Sequence, residues 1–124
     1  MARILLAEDQ TELSRMMASA LRLDGHQVEI EADGANTLEG LLASQFDMAI
    51  LDVHLPRMSG IEICEKLSAE GNMDEVHILM ISADANPIQL EKCLALGAEA
   101  YLNKPFSVQV LLKEVDRILS PQPS

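Results

Sequence analysis

The sequence predicts an α/β domain, a parallel sheet covered by helices on both faces. Short apolar runs alternate with stretches of helical periodicity five times along the chain. The runs at residues 3–7, 48–51 and 77–81 are apolar throughout except for Arg3 and His77 at their first positions, as suits strands buried on both faces. The connections between units are short, and strict strand–helix alternation with short connections gives a parallel sheet rather than hairpins.

Each element has its own signal in the sequence. Residues 3–7 end at Glu8-Asp9, after which Leu13, Met16, Met17, Ala20 and Leu21 recur at helical spacing until Asp24-Gly25. Residues 27–32 alternate Val28 and Ile30 with Glu29 and Glu31, which predicts a half-exposed strand at an edge of the sheet. Leu38, Leu41 and Leu42 mark a second helix. The central run at 48–51 ends abruptly in Asp52, and Pro56, Ser59 and Gly60 turn the chain into a third helix carrying Ile61, Cys64 and Leu67. Residues 77–81 form another buried strand, followed by Ser82-Ala83-Asp84. Pro87 suits the first turn of a fourth helix and Gly97 its end. A short strand at 100–102 leads through the turn Asn103-Lys104-Pro105 to a last helix with Val108, Leu111, Leu112, Val115 and Leu119. Residues 1–119 read as one domain, and 120–124 (Ser-Pro-Gln-Pro-Ser) as a tail or the start of a linker.

Composition narrows the function. With 124 residues, 48% of them hydrophobic, the chain can bury one core, and no apolar run approaches membrane-spanning length. A formal charge of −11 and only three aromatic residues argue against direct nucleic-acid binding, which needs clustered cations or stacking platforms. No secretory signal precedes the first strand, and Cys64 and Cys93 read as buried free thiols, which together place the chain in the cytoplasm. His26 and His77 read as structural, and the Met residues as core filling, with Met16-Met17 on the first helix leaving a peptide groove open as an alternative.

In a parallel sheet all strand carboxyl ends share one edge, where open α/β folds place their chemistry. That edge receives Glu8 and Asp9, Asp52, Ser82 and Lys104. Ser82 as a helix cap and Lys104 as a surface charge would each explain one residue, but not the convergence of all five. Three adjacent carboxylates repel, so one takes up a proton or a cation neutralises them. An oxygen-only set suits Mg²⁺, or Mn²⁺ in its place. An Asp beside such an ion and a Lys is a nucleophile for a phosphoryl group. Asp52 would then carry an acyl phosphate, with Ser82 and the amides of the following turn, including Ala83, as hydrogen-bond donors.

The acidic pair Glu8-Asp9, the run Leu51-Asp52-Val53-His54-Leu55-Pro56 with Gly60, Ser82-Ala83, and Tyr101-Leu102-Asn103-Lys104-Pro105-Phe106 resemble the receiver domain of two-component response regulators, over nearly the whole chain. The resemblance implies a flavodoxin-like sheet of order 2-1-3-4-5, the order already known for receivers. It implies that Asp52 accepts a phosphoryl group from a histidine kinase or histidine phosphotransfer protein. It makes Asp9, Asp52 and the backbone carbonyl of His54 direct Mg²⁺ ligands, with Glu8 acting through a metal-bound water. Lys104 pairs with the phosphoryl group, the Lys104–Pro105 peptide is cis, and Ser82 and Tyr101 form a switch pair. In that switch Ser82 moves to the phosphoryl oxygen and Tyr101 swings inward, remodelling the face of the fourth helix, fifth strand and fifth helix for an output domain or partner. His54 and Asp84, two residues beyond Asp52 and Ser82, stand where the phosphoryl lifetime is tuned. The resemblance leaves room for a phosphorylation-dependent homodimer. It makes the chain a phosphoacceptor that catalyses its own phosphotransfer and dephosphorylation rather than an enzyme acting on other molecules.

Glu8 stands where the family often has Asp, and Ser82 where Thr is frequent. Three other functions compete. A Mg²⁺-dependent phosphatase similar to the haloacid dehalogenase superfamily would want an acid two residues after the nucleophile, where this chain has His54, and a cap domain. A flavin carrier would need a hydroxyl- and Gly-rich loop where Glu8-Asp9 would repel the phosphate. An adaptor that is never phosphorylated would have no use for the full set of acids, Lys and hydroxyl.

Overall fold

A computed structural model describes residues 1–84 and 86–120, so most of the expected tail lies outside the described residues. In chain order the elements are β1 (Arg3–Ala7), α1 (Thr11–Leu23), β2 (Gln27–Glu31), α2 (Gly34–Ala43), β3 (Met48–Asp52), α3 (Gly60–Ala69), a single 3-10 turn (Met73–Glu75), β4 (His77–Ser82), α4 (Pro87–Leu96), β5 (Ala100–Asn103) and α5 (Val108–Leu119). The strands form one sheet of order β2-β1-β3-β4-β5, every pair parallel. β2 lies at an edge, as its charge alternation predicts, although Ile30 is 37% exposed and only Val28 is buried there.

Alternate residues of the inner strands point to opposite faces, and both faces are apolar. Ile4 and Leu6, Met48 and Ile50, and Leu79 and Ile81 pack on one side under α1 and α5. Leu5 and Ala7, Ala49 and Leu51, and Ile78 and Met80 pack on the other under α2, α3 and α4. Continuous apolar runs therefore appear in the sequence because each strand feeds two cores at once. Each fully buried Leu or Ile contributes about 1.5–3 kcal/mol through apolar area removed from water.

The helices begin and end where local chemistry satisfies their free backbone groups. Asp33 caps α2 by accepting from the Asn36 amide, and Ser59 and Glu62 form a reciprocal capping box at α3. Asn86 and Pro87 open α4, and Gly97, at φ 116°, closes it in the left-handed region. Two helices bury the expected face and one further residue each. On α3 the fully buried isoleucine is Ile63 rather than Ile61, and on α5 Ile118 is buried while Leu119 is only partly covered. Leu42 on α2 is exposed rather than core-facing. The 3-10 turn at Met73–Glu75 has no counterpart in the sequence reading. Its short span and mixed composition leave no periodic signal.

Both cysteines are buried and free. Burial pushes the Cys64 thiol up to about 12, with Cys93 and Glu65 adding to the effect. Among the described residues no helix is long and apolar enough to cross a membrane.

Candidate functional site

The carboxyl ends of β1, β3 and β4 and the residue after β5 bring Glu8, Asp52, Ser82 and Lys104 to one edge of the sheet. Parallel pairing sets this arrangement: Asp52 sits opposite Ile81 and Ser82 opposite Asn103, so neighbouring strands finish nearly level. Glu8, Asp52 and Ser82 are at most 3% exposed, and Asp9 is exposed at the mouth.

Lys104 ties the site together. Its ammonium lies 2.6 Å from Asp52 Oδ2 and 2.6 Å from Glu8 Oε1. The contact to Asp52 has hydrogen-bond geometry, whereas that to Glu8 is an ion pair that leaves buried Oε1 without a hydrogen bond. The backbone of this lysine is held by its amide, which donates to the Ser82 carbonyl at 2.8 Å; the Lys104–Pro105 peptide that follows is cis. The other carboxylate oxygens bond locally: Asp52 Oδ1 accepts from the His54 amide and Glu8 Oε2 from the Gln10 amide, both at 2.9 Å.

Two buried carboxylates share one ammonium, and the charge balance is poor. Burial pushes Glu8 from its ordinary 4.5 up to about 7, against the opposing pull of Lys104 and the Gln10 amide; Asp52 adds to the rise. Burial disfavours the Lys104 ammonium, but Asp52 and Glu8 outweigh it and raise its pKa. Glu8, Asp9 and Asp52 each offer an oxygen within 4.8 Å of the others.

The residues expected to act on a transferred group lie beside this cluster. Ser82 Oγ accepts from the Asp84 amide at 3.0 Å, so the hydroxyl proton remains available to donate. Ala83 lies exposed in the bend after β4. Tyr101 is partly buried, and its hydroxyl donates to the Asp84 carbonyl at 2.8 Å. The His54 ring is exposed, and only its backbone touches Asp52. The Asp84 residue is exposed, and its peptide groups rather than its carboxylate contact Ser82 and Tyr101.

Sequence reasoning passed over Gln10, whose side-chain Oε1 lies 3.4 Å from Lys104 Nζ and whose amide holds Glu8. Its one available signal was adjacency to the acidic pair. A cleft of about 430 Å³ opens beside it, lined by Leu13, Met16, Ala83, Lys104 and Phe106 among others.

A second cluster, Asp24, His26 and Asp116, gathers elsewhere, away from these strand ends. There His26 Nδ1 accepts from the Ala2 amide, so Nε2 keeps the ring proton and offers no lone pair to a metal. The strand-end cluster is the one with acceptor-only chemistry.

The comparisons with known proteins agree with this geometry. Residues 4–116 match the family model described as the response regulator receiver domain. The response regulator ArlR of Staphylococcus aureus is 33% identical over 123 residues, which cover 99% of this chain and 55% of ArlR. The chain thus spans about half the length of the curated relatives it matches. Among solved structures, the Vibrio cholerae chemotaxis protein CheY4 superposes with a TM-score of 0.87 at 32% identity, covering 96% of this chain and 99% of that one. The receiver domain of the sensor histidine kinase PA1611 from Pseudomonas aeruginosa PAO1 superposes with a TM-score of 0.86 at 28% identity, covering 97% and 98%; that structure holds a magnesium ion coordinated in its active-site cleft. Family model, relatives and fold converge with the strand-end cluster, and the chain belongs to the response regulator receiver domain family of two-component systems.

Proposed function

We propose that Asp52 is the phosphoacceptor of this receiver, charged in a divalent-cation-dependent reaction by a phosphohistidine on a histidine kinase or phosphotransfer protein. The observation that carries the reading is the Lys104 ammonium held 2.6 Å from Asp52 Oδ2 inside a cluster of three carboxylates. A surface ion pair would not need a nearly buried lysine shared between two buried acids.

The residues present fit a hard cation. Glu8, Asp9 and Asp52 supply only oxygen, and one Glu8 oxygen is buried without a hydrogen bond. Glu8, Asp9, Asp52 and the His54 carbonyl would hold Mg²⁺, or Mn²⁺ in its place. Bound there, the ion supplies neutralisation of the carboxylates and of the equatorial oxygens of the incoming phosphoryl group.

The chain's own residues do the rest. An Asp52 carboxylate oxygen attacks the phosphorus in line; an O–P bond forms while the N–P bond to the donor imidazole breaks, and the imidazole leaves with its electron pair. Lys104 leaves its pairing with Asp52 for the new phosphoryl oxygens. The Ser82 hydroxyl and the Ala83 amide donate to the same group, a charge-assisted pair of bonds. Each such bond contributes about 1.5–3 kcal/mol, less than the ~5 kcal/mol needed to reverse a two-state equilibrium, so Lys104 and Ser82 must act together. Tyr101, bonded to the loop that carries Ser82, transmits the change to the face formed by α4, β5 and α5, where an output domain, partner or second copy of the chain would read it. His54 and Asp84 sit beside the phosphoryl position and tune its lifetime. The apolar-lined cleft beside Lys104 is a fitting seat for the phosphodonor. The domain boundary at residue 119 and a following tail or linker complete the reading.

Incubation with acetyl phosphate and Mg²⁺ followed by intact-mass measurement tests it. The wild type should gain about 80 Da, one phosphoryl group. Asp52→Asn, or removal of the cation by EDTA, should abolish the gain; an adduct retained in Asp52→Asn would refute the assignment.

A further inference from the structure

The loop after Asp52 is held from behind by the start of α2, a helix with no residue at the strand-end site. The Gly34 amide donates to the Pro56 carbonyl at 3.0 Å, and the Met58 amide donates to the same oxygen at 2.8 Å. That second bond closes a three-residue turn whose middle residue, Arg57, takes φ 70°, a left-handed conformation side chains rarely adopt. Nothing in Arg57 itself favours this turn. An external support must hold it, and Gly34 is placed to do so. A Cβ on Gly34 would lie 1.7 Å from the Met58 carbonyl oxygen and 2.6 Å from its carbon, so helix and loop approach closer than any side chain permits. Asp33, the cap of α2, also reaches Arg57 Nη1 at 3.4 Å.

The same loop carries His54, whose amide donates to Asp52 Oδ1. We propose that the amino end of α2, through Gly34, is a positioning element of the Asp52 site: by seating the 53–59 loop it fixes the angle of the Asp52 carboxylate and the place of the His54 carbonyl beside it. The inference rests on the reading of Asp52 as a cation-dependent phosphoacceptor and adds a determinant outside the strand-end residues. Gly34 acts through the loop and is a positioning residue, not a catalytic one.

Gly34→Ala tests it, with Gly40→Ala on the same helix as control, since a Cβ there would meet only Leu5 Cδ2 at an ordinary 3.6 Å. Two readouts are needed: the amide NMR resonances of Asp52 and His54 without metal, and the Mg²⁺ dissociation constant by calorimetry. Gly34→Ala should move both resonances and weaken Mg²⁺ binding about tenfold, the lower end for losing support behind a metal ligand. Gly40→Ala should change neither. Unchanged Mg²⁺ affinity in folded Gly34→Ala overturns the proposal, as does an equal loss in Gly40→Ala. If Gly34→Ala does not fold, Asp33→Ala decides: an affinity loss of about threefold or more supports the clamp, and wild-type affinity overturns it. A wild-type protein that binds no Mg²⁺ would instead remove the functional reading on which the clamp depends.

Discussion

The Tyr101 hydroxyl donates to the Asp84 backbone carbonyl at 2.8 Å, while the amide of that same residue donates to Ser82 Oγ at 3.0 Å. One residue's peptide groups therefore hold both hydroxyls expected to switch. A rotation of Ser82 toward a phosphoryl group removes the acceptor of the Asp84 amide and frees the loop to which Tyr101 is bonded. Tyr101→Phe keeps the ring and deletes one tether. We expect a stability loss of about 1 kcal/mol, faster hydrogen exchange at the Asp84 amide, and unchanged Mg²⁺ affinity. Exchange at Asp84 that stays at the wild-type rate would show that the tether does not hold the loop.

Lys104 and Asp52 should respond to substitution with opposite signs. Lys104→Met leaves two buried carboxylates without a cation and should destabilise the metal-free protein by roughly 3 kcal/mol. Asp52→Asn removes one of two competing charges, leaves the Glu8–Lys104 ion pair, and should be neutral or stabilising. Urea unfolding of both variants in EDTA checks the contrast.

The raised pKa of Glu8 gives a pH dependence whose sign follows from linkage. Between 4.5 and about 7 the folded protein holds a proton on Glu8 that the unfolded chain has lost. Stability from this group is therefore greatest below pH 4.5 and falls as pH rises to about 7, by at most about 1.4 kcal/mol per unit. The difference between wild-type and Glu8→Gln unfolding curves in EDTA, followed over that window, isolates the effect. Saturating Mg²⁺, which favours the ionised carboxylate, should reverse the slope.

Cys64 and Cys93 should be inert in the native state. Both are fully buried, and burial raises both thiols, so little thiolate is present near neutral pH. A colorimetric thiol reagent should find no rapidly reacting group in the folded protein and both after denaturation. Rapid native labelling of either would mean that α3 and α4 open readily.

Much of the fold was legible because burial on two faces leaves a one-dimensional trace. Residues 48–51 are apolar at every position since Met48 and Ile50 serve one core and Ala49 and Leu51 the other. The α helices were less legible in detail. Ile61 and Ile63 are equally apolar, and which one is buried depends on how α3 is rotated against β3 and β4 rather than on its own period. Turn chemistry was visible at Pro87 and Gly97 but invisible at Arg57, where an ordinary residue adopts a left-handed turn because Gly34 backs it.

The sequence by itself determined the strand–helix alternation, and with it that Glu8, Asp52, Ser82 and Lys104 would meet, because parallel strands carry their carboxyl ends to a common edge. Only the tertiary structure decided how they meet. A single ammonium bridges Asp52 and Glu8, Gln10 reaches Lys104, and Tyr101 bonds the Asp84 carbonyl. These contacts join residues between 17 and 96 positions apart in sequence. No local periodicity encodes them, since each distance is set by the packing of whole elements against one another.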